Sequence, residues 1–320
     1  MRIAVVGAGG VGGYFGGRLA QAGASVAFIA RGGHLEAIRR DGLHVESLAG
    51  DFALRPVEVT DDPGSVGRVD LVLVCVKAWQ VPEVAPSLRP LLGASTAVIP
   101  LQNGVEAAPQ LAAVIGGERV LGGLCRIVSY VAGPGRIRHA GASPHIEFGE
   151  LQGGRSERVA GLRALFERAS GLSVETPDDI TAALWKKFLF IAPLSGVGAV
   201  TRAPIGVLRG IPETRAMLEA AMREVLDLAR ARGIGMDADV VARTMSYVDT
   251  MPSDATASMQ RDILEGRPSE LEYQTGTIVR FGREARVPVP VNECLYRSLL
   301  PAELKVRGLL TPQSSDRSSS

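Results

Sequence analysis

The opening seventeen residues, MRIAVVGAGGVGGYFGG, constrain the fold of this chain more than any other stretch. An apolar run over residues 3–6 stops at Gly7, and further glycines stand at Gly9 and Gly12. This is the G-x-G-x-x-G spacing that opens a dinucleotide-binding βαβ unit. Gly7 permits the tight turn out of the strand, and Gly9 lets backbone approach a pyrophosphate with no Cβ in the way. Gly12 lets the following helix pack close on the sheet. That helix begins with unpaired N–H groups that favour phosphate, so Gly7, Ala8, Gly9, Gly10, Val11 and Gly12 form the expected cofactor loop. Glycines also cluster in ordinary turns, but here the context completes the unit. The helix-compatible YFGGRLAQAG follows, and a second apolar run over residues 25–30 closes it.

A chain of 320 residues, 46% of them hydrophobic, has enough apolar material for two packed domains. A net charge of +1 gives no ground for a nucleic-acid or membrane surface. No uninterrupted apolar run approaches the ~20 residues a membrane-spanning helix needs. The glycine turn follows the first strand too directly to leave room for a signal peptide. Cys75, Cys125 and Cys294 are scattered and read as reduced thiols, not as a disulfide framework or a zinc site. A cytoplasmic setting is therefore expected. His34, His44, His139 and His145 show no ligand spacing and are expected at the surface or in loops, so no metal is expected.

At the end of the second strand, where an NAD-binding unit carries Asp or Glu for the ribose 2′-hydroxyl, this chain reads FIARGGH. Arg31 there can neutralise a 2′-phosphate through charge-assisted hydrogen bonds, which selects NADPH; the competing assignment is a solvated surface arginine. Residues 42–59 read as a short β-meander. Residues 70–76, DLVLVCV, are continuously apolar, as a parallel strand buried on both faces should be, and they lead into Lys77 of KAWQ. Residues 96–101, TAVIPL, deliver Gln102-Asn103-Gly104 to the same edge. Ligands of open α/β sheets bind at the carboxyl ends of such strands, so Lys77 and Asn103 converge on one crevice. Taken singly, each has a plainer reading: a lysine leaving the core, and a turn residue of an Asn-Gly pair. Strands at 120–131, 135–139, 145–148 and 173–176, with a helix at 156–169, complete an α/β domain over residues 1–177.

From Asp178 the pattern turns helical. Asp178 and Asp179 are candidate caps for a helix that runs through Trp185 into KKFLF. Helices at 214–231, 240–248, 257–264, 270–281 and 292–300 follow, so residues 178–309 read as an all-α domain. Residues 310–320 are polar and low in complexity and read as a disordered tail. A cofactor domain followed by a helical one places substrate at their junction. Exposed helical faces in the second half leave room for a homodimer.

Five stretches in order now carry a resemblance: GAGGVGG at the start, VKAWQ at Lys77, QNG at Asn103, LWKKF at Lys187, and SMQRDILEGRPSELEYQTG over residues 258–276. Over residues 1–308 the chain resembles the 2-dehydropantoate 2-reductase, or ketopantoate reductase, family. The resemblance implies a Rossmann-type domain followed by an all-α domain like the C-terminal one of 6-phosphogluconate dehydrogenase. It also implies NADPH-dependent reduction of a 2-oxo acid, 2-dehydropantoate, to (R)-pantoate, in the route to pantothenate and coenzyme A. By motif position the proton-donating lysine is Lys187 and the cofactor-contacting lysine is Lys77. Asn103 contacts substrate and cofactor, Ser258 binds the carboxylate end of the substrate, and Glu270 lies on the nicotinamide side.

The chemistry suits those residue types. Hydride attack on a ketone builds negative charge on its oxygen, which an ammonium both stabilises and protonates. A neighbouring carboxylate keeps a lysine charged. Without the motif, Lys187 would read as a solvent-facing helix lysine like Lys186, and Glu270 as an acid at a helix N-terminus. The chain departs from the family at three asparagines. Ile191 and Ser195 occupy the substrate-facing places one and two turns beyond the lysine, and Ile205 replaces a third. Fewer amides weaken hydrogen bonding to a hydroxylated substrate. Two alternatives therefore stay open: a paralogue that reduces a more apolar 2-oxo acid, and an NADPH-binding regulator without catalysis.

Overall fold

The computed structural model describes residues 1–310, the side chain of Ala142 excepted; residues 311–320 of the expected tail lie outside the described residues. The chain forms two compact units, Met1–Leu184 and a second that begins at Trp185. The sequence places the boundary at 177/178; the units divide inside a helix, because Ile180 and Leu184 of its first turns are buried beside Leu124.

In chain order the first unit contains β1 (Arg2–Val6), α1 (Gly10–Gln21), β2 (Ser25–Ile29), α2 (Gly32–Asp41), β3 (Leu43–Ser47), β4 (Phe52–Leu54), β5 (Glu58–Thr60), β6 (Val69–Val74), α3 (Val81–Val84), β7 (Leu92–Pro100), α4 (Ala107–Ile115), β8 (Leu121–Gly133), β9 (Arg136–Glu150), α5 (Glu157–Glu167) and β10 (Ser173–Glu175). Five strands pair in the order β5-β2-β1-β6-β7, all parallel. The continuous apolar runs of β1 and β6 are buried on both faces, as a parallel strand covered by helices on both sides requires. This is the α/β dinucleotide-binding architecture the glycine spacing predicts.

A second sheet, β10-β9-β3-β4 with β8 paired to β9, stands beside it in the same unit. Three expectations fail here for physical reasons. The meander over residues 42–59 splits: β3 and β4 pair antiparallel, while β5 joins the parallel sheet beside β2. Pro56 has no N–H to continue the antiparallel ladder. The strands expected at 135–139 and 145–148 are one strand, β9. Its register to β8 shifts between Arg126–His145 and Val128–Ala140, so residues 141–144 form a bulge within the strand that interrupts the local pattern. His139, expected at the surface, is buried on the inner face of β9, against the Tyr14 ring and hydrogen-bonded to the Ser47 hydroxyl at 2.9 Å.

The remaining elements are helices: α6 (Ile180–Thr201), which crosses the boundary, then α7 (Ile205–Gly210), α8 (Pro212–Ala231), α9 (Val240–Thr250), α10 (Ser258–Leu264), α11 (Thr275–Ala285) and α12 (Pro290–Val306). Of the two candidate caps, Asp179 serves α6, accepting from the Ala182 N–H at 2.9 Å. Asp178 is engaged instead by Arg155, whose hydrogen bond holds its carboxyl below the usual range. By length and a mean hydropathy of 1.3, α6 could cross a membrane. It also carries Lys186 and Lys187, and 61% of its apolar window is buried, which is the pattern of a core helix. Helix α11 begins at Thr275, not at 270: the carbonyl of Glu270 accepts from the N–H groups of Tyr273 and Gln274 in a turn before the helix.

Candidate active site

The expected cofactor loop is built around missing Cβ atoms. Gly7 leaves β1 at φ +100°, a conformation other residues rarely adopt, and a Cβ there would stand 2.9 Å from the backbone of Cys75 and Val76. At Gly12 a Cβ would lie 2.1 Å from the Gly7 carbonyl oxygen, so α1 packs on the strand only because that atom is absent. Gly10 lies under β8, whose Ser129 carbonyl oxygen would be 2.5 Å from a Cβ.

Gly9 is different. Its φ of −71° suits any residue, and a Cβ there would meet nothing within 4 Å. It is also the N-cap of α1, a helix with no side-chain cap and no acid in its first turn. Open space at an uncapped helix N-terminus, with a missing side chain facing it, fits a pyrophosphate group. Ala8 is buried and Val11 packs on the core, so the loop presents backbone and not side chains.

One residue that holds this loop carries no sequence signal. His34 of α2 sits between the Ala8 carbonyl oxygen, 2.8 Å from Nε2, and the Gly135 N–H, 3.1 Å from Nδ1. A backbone N–H can only donate and a carbonyl can only accept. Nδ1 is therefore the acceptor and Nε2 carries the proton.

Because β2, β1, β6 and β7 are adjacent and parallel, the residues that follow their carboxyl ends share one sheet edge: Arg31, Gly7, Lys77 and Asn103. Gln102 ties two of these ends together, its Nε2 donating to the carbonyls of Val74 and Val76 at 2.9 Å each. Lys77 is exposed, with Nζ 5.7 Å from the centre of the Trp79 ring, and Asn103 is half-buried. The Arg31 side chain is 68% exposed and lies 3.4 Å from Glu83. Beneath these strand ends, burial and the neighbouring Cys125 push the thiol of the half-buried Cys75 well above its ordinary range.

In the second unit the candidate residues lie on α6 and the elements packed against it. Trp185 stacks on Phe281 of α11 at 6.2 Å, and a Cβ at Gly198 would stand 2.6 Å from Gln260 of α10. Lys186 is exposed while its neighbour Lys187 is half-buried, so the two lysines of the motif have different surroundings. Ile191 is also half-buried. Ser195, expected to face substrate, is completely buried with its hydroxyl lacking a hydrogen-bond partner, because it sits on the inner side of a core helix. Ile205 is buried at the start of α7 and is a packing residue. Ser258 is the half-buried first residue of α10. Glu270 is 5% exposed and its carboxylate accepts from Gln274 Nε2 at 3.4 Å. It lies ahead of α11, not in its first turn, with its carboxylate bonded to the N-cap residue Gln274.

The histidine reading also needs amendment. His145, Glu147 and Glu175 bring potential ligand atoms within 4.8 Å of one another. Alternation along β9 puts the first two on one face, and the parallel β10 supplies the third. Arg126 already pairs with Glu147, and His145 Nε2 is 3.2 Å from the same carboxylate.

Residues 3–153 match the family model described as ketopantoate reductase PanE/ApbA, and residues 179–303 match the model for its C-terminal domain. The chain belongs to the ketopantoate reductase family. Within this family of oxidoreductases, it is 32% identical over 301 residues to a Bacillus subtilis (strain 168) protein named uncharacterized oxidoreductase YkpB, covering 93% of this chain and 98% of that one. It is 31% identical over 303 residues to a 2-dehydropantoate 2-reductase of Nostoc sp., covering 93% and 94%. The crystal structure of a PanE/ApbA family ketopantoate reductase from Ralstonia eutropha JMP134 superposes with a TM-score of 0.87 at 34% identity, covering 96% of this chain and all of that one.

Proposed function

We propose that this member of the family catalyses NADPH-dependent reduction of 2-dehydropantoate to (R)-pantoate. One observation carries the reading: a cradle open only at Gly9, at an uncapped helix N-terminus, shares its sheet edge with Arg31, Lys77 and Asn103. The lysine and glutamate of the family motifs are retained as Lys187 and Glu270. Bound NADPH would supply the hydride. The backbone of residues 7–12 holds the pyrophosphate, and Arg31 takes the 2′-phosphate. Lys77 holds the cofactor, and Asn103 orients cofactor and substrate through its donor and acceptor atoms. The Lys187 ammonium donates a proton to the ketone oxygen as negative charge develops there, and solvent restores it. Ser258 binds the carboxylate end of the substrate, and Glu270 keeps Lys187 charged and oriented. The reading includes a cytoplasmic setting and a homodimer, with no nucleic-acid or membrane partner.

A second reading has one observation in its favour. Ile191 offers no hydrogen bond and the Ser195 hydroxyl is sealed, which suits a more apolar 2-oxo acid. A panel of 2-oxo acids compared by kcat/KM decides between them. If 2-dehydropantoate leads simple branched 2-oxo acids by roughly tenfold or more, the first reading stands. Equal values would replace it with the second. Tight NADPH binding without turnover on any of them would leave a regulator.

A further inference from the structure

Glu270 belongs to the segment between α10 and α11, which has no regular structure of its own, yet the peptide groups on both sides of it are tied down. Ser269, the preceding residue, is 1% exposed. Its N–H donates to both carboxylate oxygens of Glu303, at 3.1 and 3.2 Å, and its hydroxyl donates to Oε2 at 2.6 Å. The same hydroxyl accepts from the N–H of Leu271, the residue after Glu270, at 3.2 Å. The Ser269 carbonyl accepts from Arg307 Nη2 at 2.8 Å, and Arg307 Nε donates to Glu303 at 2.5 Å. Glu303 is itself 6% exposed, so its charge is buried but satisfied by three donors, one of them cationic.

A peptide group is planar, so the backbone at Glu270 has only the two rotations that relate the plane before its Cα to the plane after it. The clamp holds the Ser269 carbonyl on one side and the Leu271 N–H on the other. Both rotations are thereby fixed without any helix or strand to do so. We infer that Ser269, gripped by Glu303 and Arg307 at the end of α12, is a positioning residue that aims the Glu270 carboxylate for reduction. The inference rests on the role proposed above for Glu270.

Ser269→Ala removes the hydroxyl and its two bonds, whereas Ser269→Thr retains a hydroxyl at that position. With the 2-oxo acid that the panel ranks first, kcat of Ser269→Ala falls about tenfold to a hundredfold, the scale of a misplacement of about 1 Å. Its Kd for NADPH stays at the wild-type value, and Ser269→Thr recovers most of the rate. Amide hydrogen exchange of residues 268–274, read by mass spectrometry, speeds up in Ser269→Ala and returns to normal in Ser269→Thr. In a Glu270→Gln background the further loss from Ser269→Ala shrinks to about twofold or less, because a residue that acts only through Glu270 has nothing left to position. Glu303→Gln loosens the same clamp and gives the same pattern if Ser269→Ala does not accumulate as folded protein.

Full activity of Ser269→Ala, unchanged exchange, or an undiminished loss in the Glu270→Gln background would overturn the inference alone. A fully active Glu270→Gln would overturn the role of Glu270 itself, and the inference with it.

Discussion

Gly9→Ala and Gly12→Ala add the same methyl group to the same loop, and the structure assigns them different consequences. At Gly12 the new carbon would stand 2.1 Å from the Gly7 carbonyl oxygen, 2.9 Å from a Val5 methyl and 3.0 Å from the Cys75 Cβ. A carbon–oxygen contact wants about 3.3 Å, so α1 must withdraw by roughly 1 Å. Overpacking on this scale costs about 1–3 kcal/mol. For a unit of this size that is a fall in Tm of about 2–12 °C. NADPH binding weakens as well, because the helix N-terminus has moved.

At Gly9 the backbone already suits alanine and nothing lies within 4 Å of the added carbon. The protein without cofactor should therefore lose only the preference of a helix N-cap for glycine over alanine, about 0.5–1 kcal/mol, a fall in Tm of about 1–4 °C. The methyl group would nevertheless occupy the space assigned to the pyrophosphate. Weakening by tenfold or more, about 1.4 kcal/mol, is expected. Fluorescence titration with NADPH and thermal melting of the cofactor-free protein measure the two effects separately. If Gly9→Ala binds NADPH as tightly as the wild type, the cradle is misassigned. If it melts as far below the wild type as Gly12→Ala, the space there is not open.

Two further outcomes follow from single side chains. Arg31→Ala should weaken NADPH about tenfold or more, by loss of a charge-assisted contact, and leave NADH unchanged; equal effects on both would return Arg31 to the solvated surface, where its pair with Glu83 is worth at most about 1 kcal/mol. Glu150 accepts hydrogen bonds from Arg158 and from Ser156, and the bond from Arg158 holds its carboxyl below the usual range. A folded-state pKa lowered in this way contributes stability above the unfolded value, and that contribution is lost as pH falls through the folded one. Glu150→Gln should thus cost about 1–2 kcal/mol in urea unfolding at neutral pH, with the gap to wild type closing as the pH falls below the ordinary carboxylate range. A gap independent of pH would show that the charge is not what stabilises.

What could be read from the sequence tracks how local its cause is. The parallel strands announce themselves because burial on both faces demands unbroken apolar runs, and the cofactor loop because its turn and close approaches demand glycine at fixed spacing. Arg31, Lys77 and Asn103 are legible once those strands are, since a strand end fixes where the next residue stands. The merging of two apparent strands into β9, the departure of β5 from the meander and the burial of His139 depend on register between distant segments, which no local pattern encodes. His34 and Ser269 hold the loop and Glu270 through partners 101 and 34 residues away, Gly135 and Glu303. Ser195 shows the converse: motif position suggests a substrate contact, and helix packing buries it.

The most direct measurement follows NADPH oxidation at the reduced-nicotinamide absorbance band with 2-dehydropantoate, for the wild type and Lys187→Ala. Turnover should fall by about a hundredfold or more, the range expected for removing a positioned proton donor, while the Kd for NADPH remains at the wild-type value. A Lys187→Ala enzyme that turns over at the wild-type rate would contradict the assignment of the proton to this lysine.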